Sequence, residues 1–99
     1  MKTFQLRRYE LDPQLADEFV AWVHQDVMPI LQQFGFQAEW MYLSIDKTEL
    51  TWLASLDGDE EHFKLVESEY SASEARSQAA AKMPRALIKA NVSFVTSSL

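Results

Sequence analysis

The chain of 99 residues is long enough for one domain, and 47% of its residues are hydrophobic, which suffices for a packed core. Its formal net charge is −6, and nine Lys and Arg residues are scattered among fifteen acids, which argues against a nucleic-acid partner because phosphate backbones require clustered cations. The absence of cysteine excludes disulfides, thiolate nucleophiles and cysteine-based metal sites. No signal-peptide pattern and no apolar run near the roughly 20 residues of a membrane span are present, so we expect a cytoplasmic protein.

A strand followed by a long helix is predicted for the first third of the chain. Phe4 and Leu6 alternate with polar residues over positions 3–10, with the period of two that a strand requires. Asp12 and Pro13 predict the helix start, because Asp can accept from free backbone N–H groups and Pro suits the first helical position. An apolar stripe spaced by three or four residues continues to residue 34: Leu15, Phe19, Val23, Val27, Leu31 and Phe34.

Two residues predict how this helix is distorted and how it ends. Pro29 lacks a backbone N–H and clashes with the preceding turn, so we expect a kink near residues 26–28 and a last turn over residues 29–33. Gly35 fits the left-handed backbone conformation that closes such a helix.

Residues 36–56 have the pattern of a β-hairpin with one strongly apolar face. Apolar and aromatic residues recur with a period of two on both sides of a polar break at residues 45–48. We expect the even-numbered members to face the helices: Phe36, Ala38, Trp40, Tyr42, Leu50, Trp52, Ala54 and Leu56.

A helical region and a last strand are predicted for the remaining residues. Asp57 and Glu60 form a capping-box pattern, which residues 71–74 repeat before a third helical segment that ends near Met83. Residues 88–95 alternate again. The order β-α-β-β-α(α)-β predicts one domain, residues 1–99, with the α+β ferredoxin-like fold of a four-stranded antiparallel sheet and helices on one face.

The sheet face opposite the helices is predicted to mix polar and apolar residues, among them Gln5, Arg7, Tyr9, Glu39 and Met41. Such a face commonly pairs with a second copy of the same chain. We therefore predict a homodimer through this face, and a monomer with a solvated sheet face is the alternative.

Several short motifs resemble those of the NIPSNAP family. Residues 4–9 (FQLRRY) and Leu11-Asp12-Pro13 are similar to its pattern of aromatic-Glu-Leu-Arg-x-Tyr followed by Pro-Gly. Met28-Pro29 with Gly35 resembles the end of its first helix, and residues 70–73 (YSAS) resemble the segment before its last helix. The chain departs from the family's usual residues at four positions: Gln5 for Glu, Gln14 for Gly, Leu56 for Tyr and Ala75 for Trp.

The resemblance implies the dimeric α/β-barrel superfamily. That superfamily also contains small cofactor-independent monooxygenases, isomerases and haem enzymes. For the NIPSNAP family itself the resemblance implies no established chemistry.

Arg7, His24 and Tyr42 are the candidate catalytic residues. A guanidinium that faces inward from a central strand needs an anionic partner, which is either Glu39 at a dimer interface or the carboxylate or enolate of a small acid, with Tyr9 assisting. His24 lies beside the helical stripe and suits acid–base work if a pocket lies between helices and sheet; otherwise it is a boundary residue.

Metal and nucleotide cofactors are not expected. Neither His24 nor His62 has a histidine four residues away, and His62 is predicted to be a solvated helix residue, so we expect no metal site. Gly35 and Gly58 are the only glycines, which excludes the Gly-rich phosphate loops of nucleotide sites.

Aromatic residues supply the candidate ligand-binding residues, which are Trp22, Trp52, Tyr70 and Tyr9. Large aromatics in a small domain are most often core. Between helices and sheet they could also line a pocket for a flat apolar ligand, with His24 or Tyr42 supplying a polar contact.

Two hypotheses for the function follow. The first is a homodimeric NIPSNAP-like domain that binds a small apolar or aromatic ligand or a protein partner. The second is a small cofactor-independent monooxygenase or isomerase that acts on an aromatic or polyketide-like substrate.

Overall fold

Four antiparallel strands form one sheet in the order β2-β3-β1-β4, in a computed structural model that describes residues 1–99. The strands are β1 (Lys2–Leu11), β2 (Gln37–Leu43), β3 (Glu49–Asp57) and β4 (Leu87–Val95). The helices are α1 (Ala16–Trp22), α2 (Met28–Gln33), α3 (Glu60–Ala72) and α4 (Glu74–Ala80). This arrangement confirms the α+β ferredoxin-like fold, and no helix is long and apolar enough to cross a membrane.

A π-helical turn, Val23–Val27, joins α1 to α2. It lies where Pro29 predicts a distortion, since the N–H of Met28 reaches back five residues to the carbonyl of Val23. The proline then falls in the first turn of α2, where its missing N–H needs no intrahelical partner. Gly35 closes the segment with φ +94, as predicted.

The predicted helix starts are shifted along the chain. Asp12 accepts the N–H of Gln14 in a turn, and α1 begins only at Ala16, so Asp12 does not cap it. Asp57 is the last residue of β3, and Asp59 caps α3 by accepting the N–H of His62 at 2.9 Å. The segment before α3 offers two Asp residues to the free N–H groups, and the second one is the cap, whereas α1 begins after Leu15 without any side-chain cap.

The side chains of β1 face opposite to the prediction. Residues paired directly across antiparallel strands share a face. Gln5 pairs with Ala54 and Arg7 with Trp52, so the polar alternation of β1 lies on the helix-covered face. Phe4 and Leu6 lie on the open face instead. The rule that even-numbered residues face the helices is therefore wrong for β1, while it holds for β3, where Leu50, Trp52, Ala54 and Leu56 are buried.

A β-bulge reverses the second half of β2. The register shifts between Ala38 and Trp40, so Ala38 pairs with Ala54 while Trp40 pairs with Leu53. Trp40 and Tyr42 consequently lie on the open face, where their side chains are 38% and 69% exposed. The expectation that these two aromatics face the helices is wrong.

Candidate functional site

A cavity of about 200 Å³ lies between the helices and the sheet. Of the 19 residues that line it, 14 are hydrophobic, and the others include two arginines and one glutamate. Strands β1, β3 and β4 supply its floor, and α1, the π-turn, α3 and α4 supply its walls. The cavity is therefore an apolar chamber with a few charged groups in its wall.

Arg7 is the most highly connected polar side chain of this chamber. Its Nε donates to Tyr9 Oη at 2.7 Å, and its Nη1 donates to Gln5 Oε1 at 2.6 Å and to Glu67 Oε2 at 3.1 Å. Its Cζ lies 5.5 Å from the Trp52 ring centroid, close enough for a cation–π contact. These contacts fix the guanidinium, and its Nη2 makes no hydrogen bond within the chain.

Strand geometry explains why this cluster forms. Gln5, Arg7 and Tyr9 are spaced by two along β1 and so point to one face. Their partners across β3 are Ala54, Trp52 and Leu50, so the guanidinium lies over an aromatic and aliphatic surface. Glu67, halfway along α3, then closes the cluster from above.

Arg76 supplies a second guanidinium from the opposite helix. Ser73 caps α4 by accepting the N–H of Arg76, which places this residue in the first turn of the helix. The Arg76 Cζ lies 6.0 Å from the ring of Trp22 and 5.9 Å from the ring of Tyr70. Trp22 itself is held by its Nε1, which donates to the Ala79 carbonyl at 2.9 Å.

Two buried donors in the wall have no acceptor. The Nη1 of Arg76 and the Nε1 of Trp52 are both buried and unpaired, and Trp52 as a whole is only 4% exposed. A buried N–H without a partner costs roughly 1–3 kcal/mol. The unmet hydrogen-bonding capacity of this cavity therefore consists of donors, which suits a ligand that brings an acceptor.

Tyr70 adds a phenol whose proton is held tightly. Burial raises the pKa of Tyr70 above its usual 10.0, and the nearby positive charge of Arg76 offsets part of that rise. The hydroxyl is therefore neutral at pH 7 and remains a hydrogen-bond donor.

The candidate residues divide into two groups. Arg7, Tyr9, Trp22, Trp52 and Tyr70 all line the one cavity, and whether they bind a ligand stays a prediction. The remaining catalytic candidates lie elsewhere: His24 is exposed beside a surface depression that also includes Met28 and Trp40, and Tyr42 is on the open face. His62 is exposed on α3.

The predicted Arg7–Glu39 ion pair does not form, because the two residues lie on opposite faces of the sheet. Arg7 pairs with Glu67, whereas Glu39 accepts from Ser55 Oγ at 2.5 Å and lies 3.5 Å from Lys2 Nζ. The Ser55 hydroxyl, together with Lys2, lowers the pKa of Glu39, against the opposing effect of desolvation.

Three residues of the site were absent from the sequence-based prediction. Gln5 was assigned to the other face, and Glu67 and Arg76 look like ordinary charged residues on exposed helices. One signal was available for Glu67: it lies one residue from Val66 and three from Tyr70, at the edge of the apolar stripe of α3. No group of three or more His, Asp or Glu side chains that could hold a metal ion is present.

Comparison with solved structures identifies the fold. A NIPSNAP domain protein from Burkholderia xenovorans, itself uncharacterised, superposes with a TM-score of 0.83 at 14% identity, covering 99% of this chain and 95% of that one. A NIPSNAP family protein of unknown function from Agrobacterium tumefaciens gives 0.83 at 10% identity, covering 95% of this chain and 86% of that one.

A more distant likeness extends to a proposed antibiotic biosynthesis monooxygenase from Bacteroides thetaiotaomicron. Its TM-score is 0.74 at 11% identity, and the match covers 99% of this chain and 90% of that one. No protein-family model matches the amino-acid sequence, and no curated protein sequence does. The resemblance seen in the short motifs is therefore confirmed at the level of the fold, which this chain shares with NIPSNAP domains along nearly its whole length.

Proposed function

We propose that this NIPSNAP-like domain binds a small, flat, apolar or aromatic molecule in the helix–sheet cavity. The observation that carries the proposal is the chamber itself, with 14 hydrophobic residues among its 19 and unpaired donors in its wall. Apolar pockets with a few convergent polar groups are the usual form of small-molecule sites.

The cavity volume limits the size of the ligand. A dry apolar cavity of roughly 150 Å³ accepts benzene. At about 200 Å³, this chamber therefore fits a single substituted ring better than a fused-ring compound. Aromatic rings of Trp22, Trp52 and Tyr70 offer stacking or edge contacts to such a ring.

A cavity-filling variant tests the proposal. Single-ring ligands, with benzoate, phenol and toluene as probes, should raise the melting temperature and perturb cavity resonances in NMR spectra. Ala54→Leu places three extra carbons in the chamber and should abolish the shift. Ala21→Leu, on the exposed side of α1, is the matched control and should leave it unchanged.

The cavity variant could also lower the stability of the fold. Ala90 lines the same cavity from an exposed position on β4. Ala90→Leu should therefore narrow the cavity without forcing a larger side chain into the packed core. Failure of every probe to bind the wild-type protein, or equal binding by both filled variants, would overturn the proposal.

We also propose that the open sheet face pairs with a second copy of the chain. This face carries more aromatic surface than the sequence predicted, because Phe4, Trp40 and Tyr42 lie on it. Its apolar members are Phe4, Leu6, Trp40, Tyr42, Leu53 and Val95. An exposed apolar patch of this kind is typical of a protein–protein interface.

Sedimentation at micromolar concentration tests the dimer. Tyr42→Glu puts a charge at a position that is 69% exposed, so it should leave the monomer folded and disrupt pairing. Ile45→Glu, in the fully exposed β2–β3 turn, is the control. A wild-type monomer in this experiment would contradict the proposal.

An oxygenase function is the second candidate, favoured by the shared fold of the proposed monooxygenase from Bacteroides thetaiotaomicron. His24 and Tyr42 lie outside the cavity, so any chemistry there would depend on Arg7, Tyr9, Glu67 or Tyr70. Oxygen uptake with single-ring quinols is the test. Uptake that is lost in Ala54→Leu would support catalysis, and binding without uptake would leave the domain a binding protein.

A further inference from the structure

We propose that the ligand is a monoanion, such as the conjugate base of a single-ring aromatic acid, and that Glu67 selects it over a dianion. The inference rests on the proposed function and adds the charge class of the ligand. Its basis is the balance of formal charges that line the cavity, which are two arginines and one glutamate.

The three charges leave one positive charge in excess. Glu67 forms an ion pair with Arg7 at 3.1 Å, and their side chains are 33% and 23% exposed. Arg76 forms no ion pair with a carboxylate of the chain, and its guanidinium lies beside the rings of Trp22 and Tyr70. A guanidinium stays charged, so one anion entering the chamber would neutralise it.

The unpaired donors indicate where that anion binds. Arg76 Nη1 and Trp52 Nε1 are buried without acceptors, and Trp52 is stacked against Arg7. The Nη2 of Arg7 is also unpaired within the chain, since Nε and Nη1 make all of its hydrogen bonds. Together these groups form a set of donors for a carboxylate or enolate oxygen, and hydrogen bonds to an ionised acceptor are the strong ones.

Glu67 limits how much negative charge the chamber accepts. Its carboxylate already accepts a hydrogen bond from Arg7 Nη1, which also donates to Gln5 Oε1. A second negative charge on the ligand would lie near this carboxylate in a poorly solvated space, where like charges repel more strongly than in water. The wild-type cavity therefore favours a monoanion over both neutral and doubly charged ligands of similar shape.

Isosteric substitutions can change this balance by one charge in either direction. Glu67→Gln keeps an acceptor for Arg7 and leaves two positive charges in excess. Gln5→Glu keeps the acceptor for Arg7 Nη1 but replaces the amide that donates to Glu67 at 3.5 Å, and with both carboxylates ionised it leaves no positive charge in excess. Calorimetry at pH 8 with benzoate, phthalate and benzamide then compares a monoanion, a dianion and a neutral amide in each protein.

The expected result is a reversal of preference. Wild type should bind benzoate at least about tenfold more tightly than benzamide or phthalate, the order of one close charge pair. Glu67→Gln should tighten phthalate by about tenfold relative to benzoate, and Gln5→Glu should weaken benzoate by about tenfold while leaving benzamide unchanged. Because each ligand is compared with itself across variants, differences in ligand size cancel.

The outcomes separate this inference from the proposed function. If benzamide or toluene binds as well as benzoate, or if the ratio of benzoate to phthalate is the same in all three proteins, the charge assignment is wrong and the cavity still binds ligands. If no probe binds any protein, both fail. Arg76→Met, which removes the second guanidinium without touching the Arg7 cluster, provides an independent check and should weaken benzoate but not toluene.

Discussion

Tyr70 lies within reach of both arginines of the cavity, but its ionisation is governed by burial. Its phenol is buried, and this raises its pKa above 10.0, although Arg76 opposes the rise. A group whose folded pKa is raised binds its proton more tightly in the folded protein, so it contributes stability that is complete below pH 10 and lost as the pH rises through the folded value.

We expect Tyr70 to titrate above the usual pKa of a tyrosine and to promote unfolding in alkali. Spectrophotometric titration of the wild-type protein should show one tyrosinate that forms late, and Tyr70→Phe should remove that component. The variant should also lose less stability than wild type between pH 9 and pH 11. A late component that persists in Tyr70→Phe would contradict this assignment.

Arg7 is expected to matter for stability as well as for binding. Arg7→Leu removes three hydrogen bonds and leaves Glu67 and Gln5 without their donor. Because Gln5 is buried and Glu67 is only partly exposed, we expect a loss of about 1–3 kcal/mol in the free energy of unfolding, measured with urea. The double variant with Glu67→Leu should recover part of this loss, since it removes the carboxylate that was left unpaired. An additive double variant would show that the pair is not coupled.

Gly35 controls the entry into the β2–β3 hairpin. Its φ of +94 is costly for any residue with a Cβ, and a Cβ there would lie 3.3 Å from Leu56 Cδ1. Gly35→Ala should therefore lower the free energy of unfolding by about 1–2 kcal/mol, measured by urea denaturation. Gln33→Ala, in an exposed position on α2, should stay within about 0.5 kcal/mol of wild type.

At the level of elements, hydrophobic periodicity and capping patterns predicted the order of strands and helices, and Pro29 predicted the distortion before it. It did not predict which face of β1 or β2 is buried. In β1, apolar Phe4 and Leu6 compete with polar Gln5 and Arg7, and only the cavity, which needs Arg7 beside Glu67, determines which set turns inward. In β2 no residue type marks the extra residue between Ala38 and Trp40, and a bulge reverses every side chain that follows it.

The residues of the site were only partly predictable from the sequence, because some of them are placed by long-range packing. Trp22, Trp52 and Tyr70 stand out by size, and they line the cavity whatever the strand register. Glu67 and Arg76 could not be selected, because their roles depend on where two helices cross the sheet. Long-range pairings of this kind leave little trace in local sequence.

In the whole molecule, the Arg7 cluster and the exposed aromatic residues of the sheet lie on opposite faces, whereas the sequence pattern predicted the Arg7 cluster on the open face. Gln5, Arg7 and Glu67 lie together in the chamber, and the open face presents Trp40 and Tyr42 among charged and polar side chains. If this face closes against a second copy, the dimer is favoured by mass action and its apparent stability depends on concentration.

We expect the melting temperature to rise with protein concentration between 1 and 100 μM for wild type. Tyr42→Glu should melt at one temperature throughout that range, and Ile45→Glu should behave as wild type. A melting temperature independent of concentration in all three proteins would show that unfolding does not involve dissociation. Differential scanning calorimetry provides the measurement.

The extra residue in β2 places Ala38 and Trp40, which are two positions apart, on opposite faces of the sheet. Deleting Glu39 would remove the bulge and place Trp40 directly after Ala38, so Trp40 and Tyr42 would stay on the open face and Met41 and Leu43 would stay toward the helices. Because β2 is an edge strand that pairs only with β3, nothing on its other side would have to adjust. A one-codon deletion would thus straighten the edge strand and remove the carboxylate beside Ser55 without changing which aromatic residues the open face presents.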